Sequence, residues 1–133
     1  MESYKIIDLP NFVDERGSMT VVEADQALPF TPQRLFFIYN TPANQRRGEH
    51  ANTKTEFVLI AAKGSITVDV DDGHQKDTFV LDNPTKGLYL SASTWKIMRD
   101  FSPGSILLVV ANTKYDKNEY ITNYEDFITE VHK

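Results

Sequence analysis

Residues 64–73, GSITVDVDDG, alternate strictly between apolar and polar side chains. Ile66, Val68 and Val70 would share one face of a β-strand, because successive side chains of a strand point to opposite faces. The strand runs into an Asp-Gly pair, which is typical of a tight hairpin turn. The segment therefore predicts a half-exposed antiparallel strand that leads into a hairpin.

Turn signals on both sides of this strand recur every eight to twelve residues, which is typical of a β-sandwich or a β-barrel. Two runs are apolar on both faces and predict central strands that are covered on both sides. These runs are EFVLIAA (56–62) and SILLVVA (105–111). Further short strands are expected in QRLFFIYN (33–40), GLYLSA (87–92) and TWKIMRDF (94–101).

Only the C-terminal end has a helical pattern. Tyr124, Phe127, Ile128 and Val131 recur at helical spacing, and Asn123 is placed to act as the N-cap. Many short strands with one terminal helix predict an all-β fold, a cupin or jelly-roll barrel of antiparallel strands. We expect residues 1–133 to form a single cupin domain, with a ligand in the mouth or interior of the barrel.

Composition excludes several classes of function. The 133 residues include no cysteine and carry a net charge of −5. The sequence therefore predicts no disulfide, no thiolate nucleophile and no nucleic-acid partner. Neither a signal peptide nor a run of the ~20 apolar residues that span a bilayer is present, so we expect a cytoplasmic protein without a membrane partner. Basic residues nevertheless cluster between positions 34 and 54, which favours a local pocket for a small anion.

Histidine is the side chain best suited to carry protons near neutral pH. His74 follows the predicted hairpin turn and His132 lies one residue from the end of the chain, so both are expected on the surface. His50 instead follows two arginines and a glycine and precedes a predicted buried strand. His50 is therefore the candidate catalytic base.

The segment around His50 has the spacing of a cupin motif without its metal ligands. Metal-binding cupins carry G-x5-H-x-H-x3,4-E-x6-G, and residues 50–64 can be aligned with its later part. Asn52 and Phe57 occupy the positions of the second histidine and the glutamate, and Lys96 is the equivalent of the later ligand. These side chains cannot assemble a site of two histidines and a carboxylate. We expect neither a metal nor another cofactor.

The chain as a whole resembles the metal-free cupins that act on dTDP-sugars, specifically the sugar 3,4-ketoisomerases. The resemblance covers most of the chain, and its segments are DERGSM (14–19), PQRLFFIYNT (32–41), RGEHA (47–51), GSITVDVDDG (64–73), LDNPTKGLYL (81–90), TWKIMRDFS (94–102), SILLVVA (105–111) and YDKNEYITNYEDF (115–127). It implies a homodimer, often with exchanged N-terminal strands, and a dTDP-linked 4-keto-6-deoxyhexose as substrate. The implied reaction moves the keto group from C4 to C3 through an enediolate, in deoxysugar biosynthesis for surface polysaccharide.

Candidate roles follow from this chemistry together with the resemblance. His50 would remove the C3 proton, and Asn52, which stands where the family carries a second histidine, would donate a hydrogen bond to an enediolate oxygen. Tyr39 is a candidate acid on chemical grounds. The resemblance places Arg47 beside the sugar nucleotide, and it places Arg16 and Lys96 along the sugar pocket; further candidates for binding the diphosphate are Arg34, Lys54 and Arg46.

Two other functions remain open at this point. Epimerases of dTDP-4-keto-6-deoxyhexoses form another class of metal-free cupins with an R-G-x-H segment. The replacement of a catalytic histidine by Asn52 is also compatible with a sugar-nucleotide-binding cupin that has lost its activity.

Overall fold

The computed structural model describes residues 2–133. Its strands are β1 (Tyr4–Asp8), β2 (Asn11–Asp14), β3 (Gly17–Thr20), β4 (Arg34–Tyr39), β5 (Arg47–Asn52), β6 (Phe57–Lys63), β7 (Ile66–Asp71), β8 (Lys76–Leu81), β9 (Lys86–Leu90), β10 (Trp95–Arg99), β11 (Ile106–Ala111) and β12 (Tyr120–Ile121). A 3₁₀ turn (Lys117–Glu119) precedes β12, and the helix α1 (Tyr124–Val131) follows it.

Ten of these strands form two five-stranded antiparallel sheets. The order in the first sheet is β1-β9-β6-β11-β4, and the order in the second is β12-β5-β10-β7-β8. One core joins the sheets, because Leu59 and Leu107 of the first pack with Val68 and Met98 of the second. Two sheets that face each other across such a core form a jelly roll, and the predicted all-β cupin fold is confirmed.

The local sequence signals are confirmed as well. β7 and β8 form the hairpin that the Asp-Gly pair predicted, and Ile66, Val68 and Val70 all point into the core. β6 and β11, which carry the apolar runs, are interior strands of the first sheet. Helix α1 begins after Asn123, whose side chain accepts a hydrogen bond from the backbone N–H of Asp126 at 3.0 Å.

The outer faces of the sheets are covered differently. Leu9, Leu28 and Phe30, from the N-terminal third of the chain, pack on the outside of the first sheet. On the second sheet, Phe127 of α1 packs against Ala51 and Trp95. Since Ala51 lies between His50 and Asn52 and faces α1, alternation along β5 turns His50 and Asn52 toward the opposite, inner side of the sheet.

The hairpin formed by β2 and β3 lies outside both sheets and is almost entirely exposed. Within residues 2–133, no helix has the length and apolar character that crossing a bilayer requires.

Candidate active site

A β-bulge in β5 sets the direction of the candidate catalytic side chains. His50 lies opposite Lys96 in the pairing of β5 with β10, and beyond this pair the register shifts by one residue. Gly48 and Glu49 accommodate the extra residue with positive φ values of 84° and 56°. As a result, Arg47 and His50 both face the space between the sheets although they are three positions apart.

The inward side chains surround a cavity of about 180 Å3 between the two sheets. Arg47, His50, Lys96 and Tyr120 form its polar lining, and apolar side chains of both sheets form the rest. Asn52 is buried and follows His50 by two positions, so it points to the same side of β5. The structure therefore brings together four of the residues that the sequence proposed.

His50 is held as a neutral imidazole with a defined tautomer. Its Nδ1 lies 3.0 Å from the carbonyl oxygen of Gly48, and because a carbonyl can only accept, Nδ1 carries the proton and donates it. The ring packs against Tyr120, with 4.8 Å between the ring centroids. Burial, followed by the charge of Lys96, lowers the pKa of His50 to about 4. Nε2 is therefore an unprotonated acceptor that can take up a proton.

A lysine is unusual at a buried position, and only 4% of the surface of Lys96 is exposed. Its Nζ donates to Oδ1 of Asn52 at 3.2 Å and lies 4.3 Å from the ring centroid of Phe57. Burial lowers the pKa of Lys96 to about 7, with the charge of Arg34 acting in the same direction and that of Glu119 opposing it. Near neutral pH, Lys96 therefore exists both as the ammonium and as the free amine.

The amide of Asn52 is oriented by this contact. An ammonium can only donate, so the atom that faces Lys96 is the amide oxygen. The Nδ2 atom of Asn52 is buried and makes no hydrogen bond of normal geometry within residues 2–133, although the Asn52 side chain is close enough to the Glu119 carboxylate to help lower its pKa. A buried donor without a partner is costly, and an oxygen atom of a ligand could satisfy it.

Glu119 supports the site from the 3₁₀ turn and was not singled out from the sequence. Its Oε1 accepts from the backbone N–H groups of Lys54 and Thr55, both at 2.9 Å, and its Oε2 accepts from the Thr55 hydroxyl. Burial alone would raise the pKa of this carboxyl, but the hydrogen bonds outweigh burial and hold the pKa below its usual range. Nothing in the local pattern distinguishes Glu119 from the other acids of the segment.

Two of the arginines that the sequence proposes as binding residues lie at or near the cavity. Arg47 is exposed where it lines the cavity, and it makes no salt bridge within the part of the chain that the structure describes. Arg34 is half-buried, with its guanidinium carbon 6.0 Å from the ring centroid of Phe57. The Nε and Nη2 atoms of Arg34 are buried and have no hydrogen-bond partner in residues 2–133.

The structure does not bring Tyr39 to the cavity, and its expected role as an acid needs correction. Along β4, Phe36 and Ile38 line the cavity, so alternation turns Tyr39 to the outside, where it is 58% exposed. A phenol on the outer face of the sheet cannot deliver a proton to a ligand between the sheets.

Three other expected binding residues also lie away from the cavity. Lys54 has an exposed side chain, and Arg46 approaches Glu49 on the outside of β5, at 3.8 Å. Arg16 occupies the turn between β2 and β3, where its Nη2 is 2.6 Å from Oδ2 of Asp14. No residue of that hairpin lines the cavity of its own chain.

A larger depression of about 650 Å3 lies on the outer face of the second sheet, next to α1. Its polar groups already have partners within the chain: Asp69 binds Arg99, and Asp71 accepts from the hydroxyl of Tyr124 at 2.5 Å. None of the candidate catalytic residues lines this depression. Among residues 2–133 no group of three or more His, Cys, Asp or Glu is arranged to hold a metal ion.

Comparison with known proteins gives consistent matches over nearly the whole chain. Residues 2–132 match the family described as FdtA: WxcM-like, C-terminal. The TDP-4-oxo-6-deoxy-alpha-D-glucose-3,4-oxoisomerase of Aneurinibacillus thermoaerophilus is 37% identical over 123 residues, which are 92% of this chain and 88% of the relative.

Solved structures give the same result. A 3,4-ketoisomerase from Helicobacter canadensis is 36% identical, with a TM-score of 0.95 and complete coverage of both chains. A variant of the 3,4-ketoisomerase QdtA from Thermoanaerobacterium thermosaccharolyticum, in complex with TDP-4-keto-6-deoxyglucose, is 30% identical with a TM-score of 0.95, covering 98% of this chain and 95% of that one. The RmlC epimerase of Mycobacterium tuberculosis, at 15% identity and a TM-score of 0.75, covers 89% of this chain and 67% of its own and shares the fold alone.

Proposed function

The chain belongs to the FdtA (WxcM-like, C-terminal) family, and we propose that it is a TDP-sugar 3,4-ketoisomerase. It moves the keto group of a TDP-linked 4-keto-6-deoxyhexose from C4 to C3, in deoxysugar biosynthesis for surface polysaccharide. The relative from A. thermoaerophilus and the neighbouring structures, which are named for this reaction, support the proposal. The observation that carries it is the neutral imidazole of His50, which lines a small cavity together with the buried Lys96 and the exposed Arg47.

His50 acts as the general base. The carbonyl of C4 makes the proton on C3 acidic, and removing that proton leaves an enediolate. With Nδ1 committed to Gly48 at 3.0 Å, Nε2 accepts the C3 proton and returns a proton to C4. General acid–base catalysis of this kind contributes roughly 10²–10⁴-fold.

Asn52 stabilises the enediolate. Its Nδ2 makes no hydrogen bond of normal geometry in residues 2–133 and lies on the same side of β5 as His50, so it is available to donate to an oxygen on C3 or C4. A buried donor aimed at a developing oxyanion contributes about 3–4 kcal/mol to transition-state stabilisation. This role requires no proton transfer, so it suits an amide.

The cavity is too small to enclose the whole sugar nucleotide. About 180 Å3 is less than the roughly 300–1,000 Å3 of pockets that enclose a whole ligand of this kind. We infer that the sugar enters the cavity and that the nucleotide stays outside. Arg47, exposed where it lines the cavity, is then placed to bind the diphosphate with two hydrogen bonds, and Arg34 offers a second guanidinium nearby.

A homodimer accounts for apolar surface that a single chain leaves exposed. β4 is an edge strand, and Leu35, Phe37 and Tyr39 form an exposed apolar row on its outer face. A flat apolar edge of this kind is a site for pairing with a second copy. The β2–β3 hairpin is also apolar on its surface. We propose that this hairpin lies over the partner and that Arg16 lines the sugar pocket there, as the family resemblance implies.

Two further expectations remain predictions. We propose that residues 1–133 act as one cupin domain, which is supported by the joint core of the two sheets. The cytoplasmic location expected from the sequence is also retained as a prediction.

The function is tested by incubating the protein with TDP-4-keto-6-deoxyglucose in D2O and following the sugar by NMR. The proposal requires a 3-keto product with deuterium at C4. Deuterium at C5 alone would indicate epimerisation, and binding without any exchange would indicate an inactive sugar-nucleotide-binding protein. Either of these results would reject the proposed reaction.

A further inference from the structure

Isomerisation moves protons on oxygen as well as on carbon. In the substrate, O3 belongs to a hydroxyl and O4 to a carbonyl, whereas in the product the two are exchanged. O4 must therefore gain a proton and O3 must lose one while His50 removes a proton from C3 and supplies one to C4. Asn52 cannot supply this second transfer, because a carboxamide does not titrate in this range.

Lys96 is the titratable group best placed for it. It lines the same cavity as His50 and lies directly opposite His50 in the pairing of β5 with β10. Its Nζ has three donor positions, and Oδ1 of Asn52 is the one acceptor in residues 2–133 that it reaches within hydrogen-bond distance. The ammonium therefore has N–H groups that are not engaged within the chain and can donate to the substrate.

We propose that Lys96 is a catalytic residue of the ketoisomerase reaction proposed above, and that it carries the proton between O4 and O3 of the sugar. The inference rests on that function and assigns to the site a second proton carrier. Lys96 thereby takes over, from the adjacent strand, the proton transfer that Asn52 cannot perform.

The proposed steps balance without a further reactant. His50 takes the proton from C3, the electrons of that C–H bond form a C3=C4 double bond, and O4 takes a proton from the ammonium of Lys96. The amine of Lys96 then removes the proton from O3, whose electrons form the C3 carbonyl. The electrons of the double bond then take a proton at C4 from the imidazolium of His50, whose Nε2–H has exchanged with solvent. Both side chains end in the states in which they began.

The surroundings of Lys96 permit both of its protonation states. His50 and Arg47 face it from β5, Arg34 acts from β4, and Glu119 acts from the 3₁₀ turn. Burial is the largest influence and lowers the pKa of Lys96 to about 7. Because Glu119 is the one carboxylate among these groups and is occupied by the N–H groups of Lys54 and Thr55, it compensates the charge of Lys96 only in part.

The pH dependence of kcat/KM for the TDP-4-keto-6-deoxyglucose reaction tests this role. In the wild type, kcat/KM should fall as the pH rises above about 7, because Lys96 must begin as the ammonium. Lys96→Arg keeps a charge that does not titrate in this range. We expect this variant to lose the alkaline decline and to be slower by roughly 10²–10⁴-fold at pH 7.

Lys96→Met is the matched variant without charge, and it suits a buried site. It should show the same loss of kcat while the Kd for TDP, measured by calorimetry, stays within about threefold of the wild type. Circular dichroism checks that both variants fold. A wild-type profile without an alkaline decline, or a Lys96→Arg variant that retains both the rate and the decline, would overturn the role of Lys96 and leave the proposed function intact. A wild type that does not isomerise the substrate at all would overturn both.

Discussion

The carboxylate of Glu119 accepts a hydrogen bond from the backbone N–H of Thr55 at 2.9 Å, although the two residues are 64 positions apart in the sequence. This bond ties the 3₁₀ turn near the C-terminus to the connection between β5 and β6. Asn52 immediately precedes that connection. The position of Asn52, at the end of β5, therefore depends on a carboxylate that does not line the cavity.

Removing the Glu119 carboxylate should destabilise the protein. Glu119→Ala leaves the backbone N–H groups of Lys54 and Thr55 without their acceptor, while the Thr55 hydroxyl keeps only its hydrogen bond with Thr113. We expect the free energy of unfolding, measured with urea, to fall by about 2–4 kcal/mol. Glu130→Ala removes an exposed carboxylate of α1 and serves as the control, with an expected change below ~0.5 kcal/mol. Equal effects of the two substitutions would contradict the structural role of Glu119.

The lowered pKa of His50 should make the protein less stable in weak acid. The unfolded chain binds a proton below pH ~6.5, whereas folded His50 does so only near pH 4. Between these values the unfolded state holds more protons, so stability rises with pH through this window and is lost as the pH falls. Allowing for the part of the ring that solvent reaches, we expect a loss of about 2 kcal/mol between pH 6.5 and pH 4.

Comparison of the wild type with His50→Phe isolates the contribution of His50 to the pH dependence of stability. The acids with lowered pKa values, among them Asp69 and Glu119, are present in both proteins and contribute equally. The difference in unfolding free energy between the two proteins should therefore follow the titration of His50 alone. Parallel curves from pH 4 to pH 6.5 would show that folded His50 titrates normally.

A side chain at position 48 should disturb both the fold and the base. A Cβ atom on Gly48 would lie 3.0 Å from the backbone oxygen of Lys96, and the residue has a φ of 84°. We expect Gly48→Ala to lower the unfolding free energy by roughly 1–3 kcal/mol, and to lower kcat as well because the Gly48 carbonyl orients His50. Gly104→Ala has a similar φ of 74°, and its new Cβ would lie no nearer than 3.9 Å to Nζ of Lys63, so this variant measures the backbone strain alone. Gly104→Ala should leave kcat unchanged; a kcat for Gly48→Ala equal to that of the wild type would argue against this orientation of His50.

The apolar row on β4 should determine the oligomeric state. Phe37→Glu places a charge in the centre of the proposed interface, so size-exclusion chromatography with light scattering should give a monomer for this variant and the proposed dimer for the wild type. Val80→Glu changes an equally exposed apolar residue on β8 and should leave the dimer intact. A Phe37→Glu protein that stays dimeric would place the interface elsewhere.

Features encoded by neighbouring residues could be predicted from the sequence. The alternation around Val68 and the helical spacing around Phe127 each specify an element and its buried face, and the structure confirms both. The inward direction shared by His50 and Asn52 followed from the two-residue period of a strand.

Features that depend on tertiary contacts could not be predicted. Both faces of β4 are apolar, so alternation could not tell whether Phe36 or Tyr39 would face the cavity. The packing of Ile38 into the core between the sheets decides it, because Phe36 shares the face of Ile38. The bulge that turns Arg47 inward requires a positive φ at Glu49, which its residue type does not indicate. Glu119 acquires its structural role only because the fold brings it next to Thr55, which lies 64 positions earlier in the sequence.

The most direct test of His50 as the base is the exchange of the C3 hydrogen of TDP-4-keto-6-deoxyglucose with D2O, followed by NMR. The wild type should exchange this hydrogen during turnover. His50→Ala should lower the exchange rate by at least about 10²-fold while its Kd for TDP remains close to that of the wild type, because the imidazole serves the sugar and not the nucleotide. Exchange by His50→Ala at the wild-type rate would show that another group removes the proton.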